Sequence, residues 1–196
     1  MIRTAIFKTP ITGRVRVNAL NIEGDRQADL TVHGGASKAI YAYPAEHYEF
    51  WRRELPEVEF PWGSFGENLT TERLLEKELN IGDHLCAGSV ELIVTEPRLP
   101  CYKLNAKFMR EDMVKRFLRS RRTGFYLSVA REGEIGAGDP IHFLSRDENR
   151  VSVAEITRLY AFNRNDLAGM RRAVAVKALP ESWRSYFTQS IDKRIA

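Results

Sequence analysis

Apolar and polar residues alternate along most of the chain, and a helical period takes over near residue 151. Ile2, Ala5 and Phe7, then Val15 and Val17, fall on either side of a Pro10/Gly13 turn, which predicts a β-hairpin over residues 1–22. Ala39-Ile-Tyr-Ala-Tyr predicts a further strand broken by Pro44. Tyr48, Trp51 and Leu55, at i, i+3 and i+7, predict a helix over about 45–54 with one buried stripe. Strands are expected again near Leu79–Leu85 and over Val90–Thr95. Leu104, Phe108, Val114, Phe117 and Leu118 predict one helix over about 104–119 whose other face is basic. The segments from Gly124 to Ala130 and from Pro140 to Leu144 alternate around a glycine-rich turn and predict an antiparallel pair.

Beyond residue 151, Ser152-Val-Ala-Glu155 has the form of a capping box. Leu167, Met170 and Val174 share the face of a second helix. Trp183, Phe187 and Ile191 line a third, with Pro180 suited to its first position. The expected architecture is mainly β with peripheral helices over residues 1–148, followed by a small three-helix appendage over 149–196. With no low-complexity linker between them, the appendage is expected to pack on the body.

Composition narrows the function classes. The 196 residues are 43% hydrophobic and 29% charged, ordinary for a globular protein. No stretch approaches the roughly 18 to 20 apolar residues of a membrane span. The N-terminal residues lack the pattern of a secretory signal, so a soluble, cytoplasmic protein with no membrane partner is expected. Two cysteines, Cys86 and Cys101, are too few for a disulfide scaffold, and the four scattered histidines give no zinc pattern. A net charge of +4 suits an anionic cofactor or nucleic acid, and decides between neither.

Four segments carry candidate chemistry. In Glu96-Pro-Arg-Leu-Pro-Cys101-Tyr-Lys103-Leu-Asn105, a cysteine leaves a strand beside Arg98 and Lys103 and enters a helix, a setting that favours the thiolate that ligates metals or attacks electrophiles. A buried inert thiol is the plainer alternative. In His33-Gly34-Gly35-Ala-Ser37-Lys38, paired glycines let amides converge on an anion while Ser37 and Lys38 add a hydroxyl and a charge. Gly66-Glu67-Asn68 suits a heterocycle edge or the fixing of a neighbouring loop. Arg119 to Tyr126 brings Arg122, Thr123 and the Tyr126 hydroxyl to a strand start, where guanidinium groups could hold phosphate or form a solvated face.

In order and spacing, His33-Gly-Gly-Ala-Ser-Lys-Ala-Ile-Tyr-Ala-Tyr-Pro44, Gly63-Ser-Phe-Gly-Glu-Asn-Leu-Thr70, Ile81-Gly-Asp83, Pro97-Arg-Leu-Pro-Cys101 and Arg122-Thr-Gly-Phe-Tyr126 with Gly138-Asp139 resemble the MOSC domain, named for the C-terminal domain of molybdenum cofactor sulfurases. The resemblance covers roughly residues 1–145, and the tail resembles the three-helix extension of the bacterial hydroxylaminopurine-resistance branch. It implies a β-barrel-like fold that binds molybdenum cofactor, with Cys101 as thiolate ligand and catalytic residue. Arg98, Lys38, Arg122 and the Gly34/Gly35 turn are then candidates for the phosphate. Asn68 and Asn105 are candidates for the pterin edges, and His33, Ser37, Gly66, Glu67, Lys103, Thr123 and Tyr126 complete the expected site.

The implied activity is reduction of N-hydroxylated compounds, such as N-hydroxylated purines and amidoximes, with electrons from a separate reductase. No flavin or iron–sulfur motif is visible in this chain. Two other readings compete: a sulfur carrier with a persulfide on Cys101, and a non-enzymatic anion or nucleic-acid binding module using the basic helix and the arginines after it. Neither a monomer nor a homodimer is specified.

Overall fold

The computed structural model describes residues 6–25 and 35–195. Nine strands are present among them: β1 Arg14–Asn18, β2 Asn21–Ile22, β3 Ile40–Pro44, β4 Leu69–Thr71, β5 His84–Ala87, β6 Val90–Pro97, β7 Phe125–Arg131, β8 Gly133–Gly136 and β9 Ile141–Ser145. Six helices accompany them: α1 Glu46–Glu54, α2 Tyr102–Phe108, α3 Met113–Ser120, α4 Val153–Ala161, α5 Leu167–Ala175 and α6 Glu181–Ile195. A six-stranded sheet in the order β4-β3-β7-β6-β5-β9 curls into a half-barrel, and a small sheet β2-β1-β8 lies apart from it. The mainly-β body with a three-helix tail is therefore observed.

Three local expectations need correction. The first hairpin turns at Ala19–Leu20, between β1 and β2, and not at Pro10/Gly13. Residues 6–13 form no strand, and Ile2 and Ala5 lie outside the described residues. The pair predicted from Gly124 to Leu144 is not a pair. β7 joins β3 and β6, whereas β9 joins β5 two strands away. The turn between them is itself a strand, β8, which leaves the large sheet to pair with β1.

The helix expected over 104–119 is two helices, broken at Met109, whose φ of 50° ends α2 in the left-handed region. Asn105 spans the break. Its Nδ2 donates to Glu111 O at 2.8 Å and its Oδ1 accepts from Val114 N at 2.8 Å, so one amide satisfies the backbone on both sides.

Two hydrophobic cores result. The larger runs continuously from the sheet (Leu85, Leu92 and Val94) and the segment before β5 (Leu79 and Ile81) into the tail helices (Ile156, Leu159, Met170, Trp183 and Phe187). At about 1.5–3 kcal/mol per large apolar side chain, those helices are bound firmly. Backbone bonds Ile81 N to Val151 O and Val153 N to Leu79 O, each 2.9 Å, stitch the entry to the tail. Ser152 Oγ accepts from Glu155 N at 3.1 Å, as the capping box predicts. The second core is aromatic, with Tyr41, Tyr43, Tyr48, Trp51, Phe65 and Phe117 packed together under α1 and α3.

Candidate functional site

Cys101 stands where β6 runs out. A bulge between Val94 and Glu96 alters the strand's register, and Arg98 N then bonds Gly124 O at 3.3 Å, which keeps the exit against β7. Cys101 follows in extended conformation, half-buried, as the residue that precedes α2.

Arg98 is 5% exposed. Its guanidinium lies 5.2 Å from the ring centre of Tyr41 and 5.1 Å from that of Phe117. Burial opposes its charge, but Tyr41, Tyr126 and the Cys101 thiol act in the other direction and hold its pKa above the ordinary arginine value. Tyr126 is close enough to the Arg98 guanidinium to act on its charge. Nη1 of Arg98 is nevertheless buried with no hydrogen-bond partner. Lys103, in the first turn of α2 and two residues after Cys101, is also buried.

A second group also lies near Tyr126. Lys38 Nζ is 6.0 Å from the Tyr126 ring centre and 4.0 Å from Glu96 Oε2. Thr95 Oγ1 lies 2.6 Å from Ser37 O and 3.0 Å from Tyr126 O, fixing the turn Ala36–Lys38 to the sheet. Gly35 opens that turn at φ 95°, a conformation that L side chains rarely adopt. Arg98, Cys101, Tyr126, Ser37 and Lys38 are thus brought into one neighbourhood. His33 and Gly34 lie outside the described residues.

Other expected site residues have internal work. Glu67 accepts from Gly63 N and Phe65 N, each at 3.0 Å, and from the Tyr48 hydroxyl, so its carboxylate organises the loop that carries Gly66. Asn68 accepts from Tyr41 N at 2.9 Å and donates to Asp25 at 2.6 Å. Asn105 bridges α2 and α3 as described. Arg122 stacks on Phe50 at 3.9 Å and donates to Ser120 O. Arg121 lies 4.4 Å from the Phe162 ring centre, so these two arginines of the basic run rest on aromatic rings. Thr123 is buried, and its carbonyl accepts the Tyr41 hydroxyl at 2.8 Å.

Three participants escaped the sequence reading. Tyr41 supports Arg98; Glu96 is buried beside Lys38; and Trp183 of α6 donates its indole N–H to Glu96 Oε2 at 2.7 Å. The spacing of Trp183 marks it as core, and nothing local names its partner.

The MOSC domain model matches residues 29–142, and the YiiM-like, 3-alpha helix domain model matches 151–194. The chain belongs to the MOSC domain family. Among related MOSC proteins, YflK of Bacillus subtilis is 39% identical over 192 residues, 98% of this chain and 86% of that one. The crystal structure of YiiM from Geobacillus stearothermophilus superposes with a TM-score of 0.85 at 34% identity, covering 95% of this MOSC protein and 89% of that chain. A protein of Gibberella moniliformis named a reductase is 37% identical over 161 residues, 81% of this chain but 28% of its own length. Its name therefore describes a much longer molecule. No helix among the described residues is long and apolar enough to cross a membrane.

Proposed function

We propose that this MOSC protein holds molybdenum cofactor against the thiolate of Cys101 and reduces N-hydroxylated compounds to the corresponding N–H compounds and water, with electrons drawn from a separate reductase. The observation that carries the proposal is Arg98, a buried guanidinium beside Cys101 with one donor unspent. Leaving such a donor unsatisfied costs about 1–3 kcal/mol, and an anionic ligand is what would offset it. Among the described residues no group of three or more His, Cys, Asp and Glu side chains can hold a metal ion. A metal at this place would rest on one soft sulfur and on ligands it brings with it, which fits a dithiolene cofactor.

The cofactor, when bound, would supply the two-electron redox chemistry. The chain's own contribution is binding and orientation. Arg98, clamped between Tyr41 and Phe117, presents a fixed cation at the Cys101 end. Ser37 and Lys38 present a hydroxyl and a cation on the turn near Tyr126, which also neighbours Arg98. Reductase chemistry in the fungal relative's name agrees with the reaction class.

The test is elemental molybdenum in wild type and Cys101→Ala purified in parallel from cells that make the cofactor. Near-stoichiometric metal that disappears in the variant is expected, together with N-hydroxyl reduction when a donor reductase is added. Metal absent from both proteins, with one extra sulfur on Cys101 by mass spectrometry, would replace this function with sulfur carriage.

A further inference from the structure

The tail helices reach the candidate site through one bond, from Trp183 Nε1 to Glu96 Oε2, and that bond leaves the other carboxylate oxygen in an unusual state. Glu96 is 4% exposed, and its Oε1 is buried with no hydrogen-bond donor. The Ser37 hydroxyl lies near enough to favour the charged form without reaching Oε1. An ionised carboxylate spreads its charge over both oxygens, so a bare one in the interior is costly. A neutral acid avoids that cost only where its O–H finds an acceptor.

The groups facing Glu96 are those expected around an anion. They are Ser37 and Lys38 from the turn, Trp183 from α6, and Tyr126 from β7 with Arg98 behind it. The turn opens at Gly35, where a Cβ would meet no atom of the described residues within 4 Å. Burial, the largest influence, pushes the Glu96 carboxyl above the ordinary range, against Lys38, Trp183 and Ser37.

We propose that Glu96 takes up a proton when a phosphate-type dianion binds at Ser37 and Lys38, and that the neutral acid then donates its Oε1 hydrogen to that anion. Glu96 gains one proton from solvent on binding and returns it on release. Trp183 acts as a positioning residue: by holding Oε2 it leaves Oε1 as the oxygen that turns to the ligand. The inference rests on the function proposed above only in naming the resident anion, the phosphate end of the cofactor, and it involves no metal.

Sulfate is the probe, because it is a dianion that carries no proton of its own near neutrality. Isothermal titration calorimetry of the full chain, from cells that do not make the cofactor, is run at about pH 6.5 in two buffers of different ionisation enthalpy. Wild type should take up close to one proton per sulfate, and its Kd should weaken about tenfold per pH unit above the carboxyl's titration. Glu96→Gln, nearly isosteric and still a donor, should bind sulfate without proton uptake. Trp183→Phe removes a stabiliser of the carboxylate and should move the break in affinity to higher pH, a shift that loss of packing alone does not produce.

Sulfate binding without proton uptake, uptake unchanged in Glu96→Gln, or no sulfate binding would each overturn the proposal. Molybdenum content separates it from the function above. Metal bound with no proton linkage sinks only this inference; linkage in a protein that never acquires molybdenum sinks only the function.

Discussion

Replacing Arg98 by methionine keeps a long side chain between Tyr41 and Phe117 but deletes the guanidinium. Two contributions set the outcome for the cofactor-free protein. Removing the buried guanidinium with its unsatisfied Nη1 recovers about 1–3 kcal/mol. Against this stand the contacts with the Tyr41 and Phe117 rings, about 0.5–1 kcal/mol each.

The balance falls between a loss of about 1 and a gain of about 2 kcal/mol, a change in Tm between a drop of roughly 4 °C and a rise of roughly 8 °C for a chain of this size. Molybdenum retention should fall at least tenfold in the same variant. Differential scanning calorimetry of cofactor-free protein and metal analysis of protein from cofactor-making cells read the two quantities. A Tm that drops by more than about 4 °C while molybdenum is retained would show that Arg98 is there for the fold, and the argument from its spare donor would collapse.

Gly124 has φ 66°, its N–H bonds Glu76 Oε1 at 2.7 Å, and a Cβ there would stand 2.5 Å from Ala42 O. Gly124→Ala should therefore cost at least about 2–4 kcal/mol from left-handed strain and a backbone clash, measured as a lower urea midpoint. Lys107 is lowered from 10.5 to about 8, chiefly by burial, with Arg98 and Lys8 adding to the effect and Glu67 opposing it. The folded chain then gives up this proton before the unfolded one, so the penalty on folding is present in full below about pH 8 and is relieved as pH rises toward 10.5. Wild type should gain stability relative to Lys107→Met between pH 7.5 and 9.5; a flat difference in urea midpoints would contradict it. Ser152→Ala, which removes the cap of α4, should cost about 1 kcal/mol, and circular dichroism melts will show whether it does.

Sequence periodicity located every large buried face, because a stripe on α6 or an alternating strand such as β6 leaves its mark within ten residues. It failed where a decision depended on residues far apart. Trp183 was legible as core, but its N–H meets Glu96 from 87 positions away. The break at Met109 was hidden because Val114 and Leu118 extend the stripe of Leu104 and Phe108 along the sequence, whereas α3 in fact buries Met113 and Phe117 on another face; the clue was Asn105, whose amide reads in a sequence as a ligand and serves in the fold as a splint. The same ambiguity covers Glu67 and Asn68, polar groups in a glycine-rich loop whose hydrogen bonds are spent inside it. The strand β8 resembled a turn because glycines bound it on both sides, and only its partner β1 makes it a strand. Cys101 and Arg98 could be singled out because their chemistry lies in neighbouring positions, whereas the neighbourhood of Lys38, Glu96 and Tyr126 is made by strand pairing.

The core that passes without interruption from the body into α4, α5 and α6 has a consequence for how the molecule comes apart. The strands and the three helices bury one another's apolar faces, so neither can open without exposing its share of that core, and the two should melt in one cooperative step.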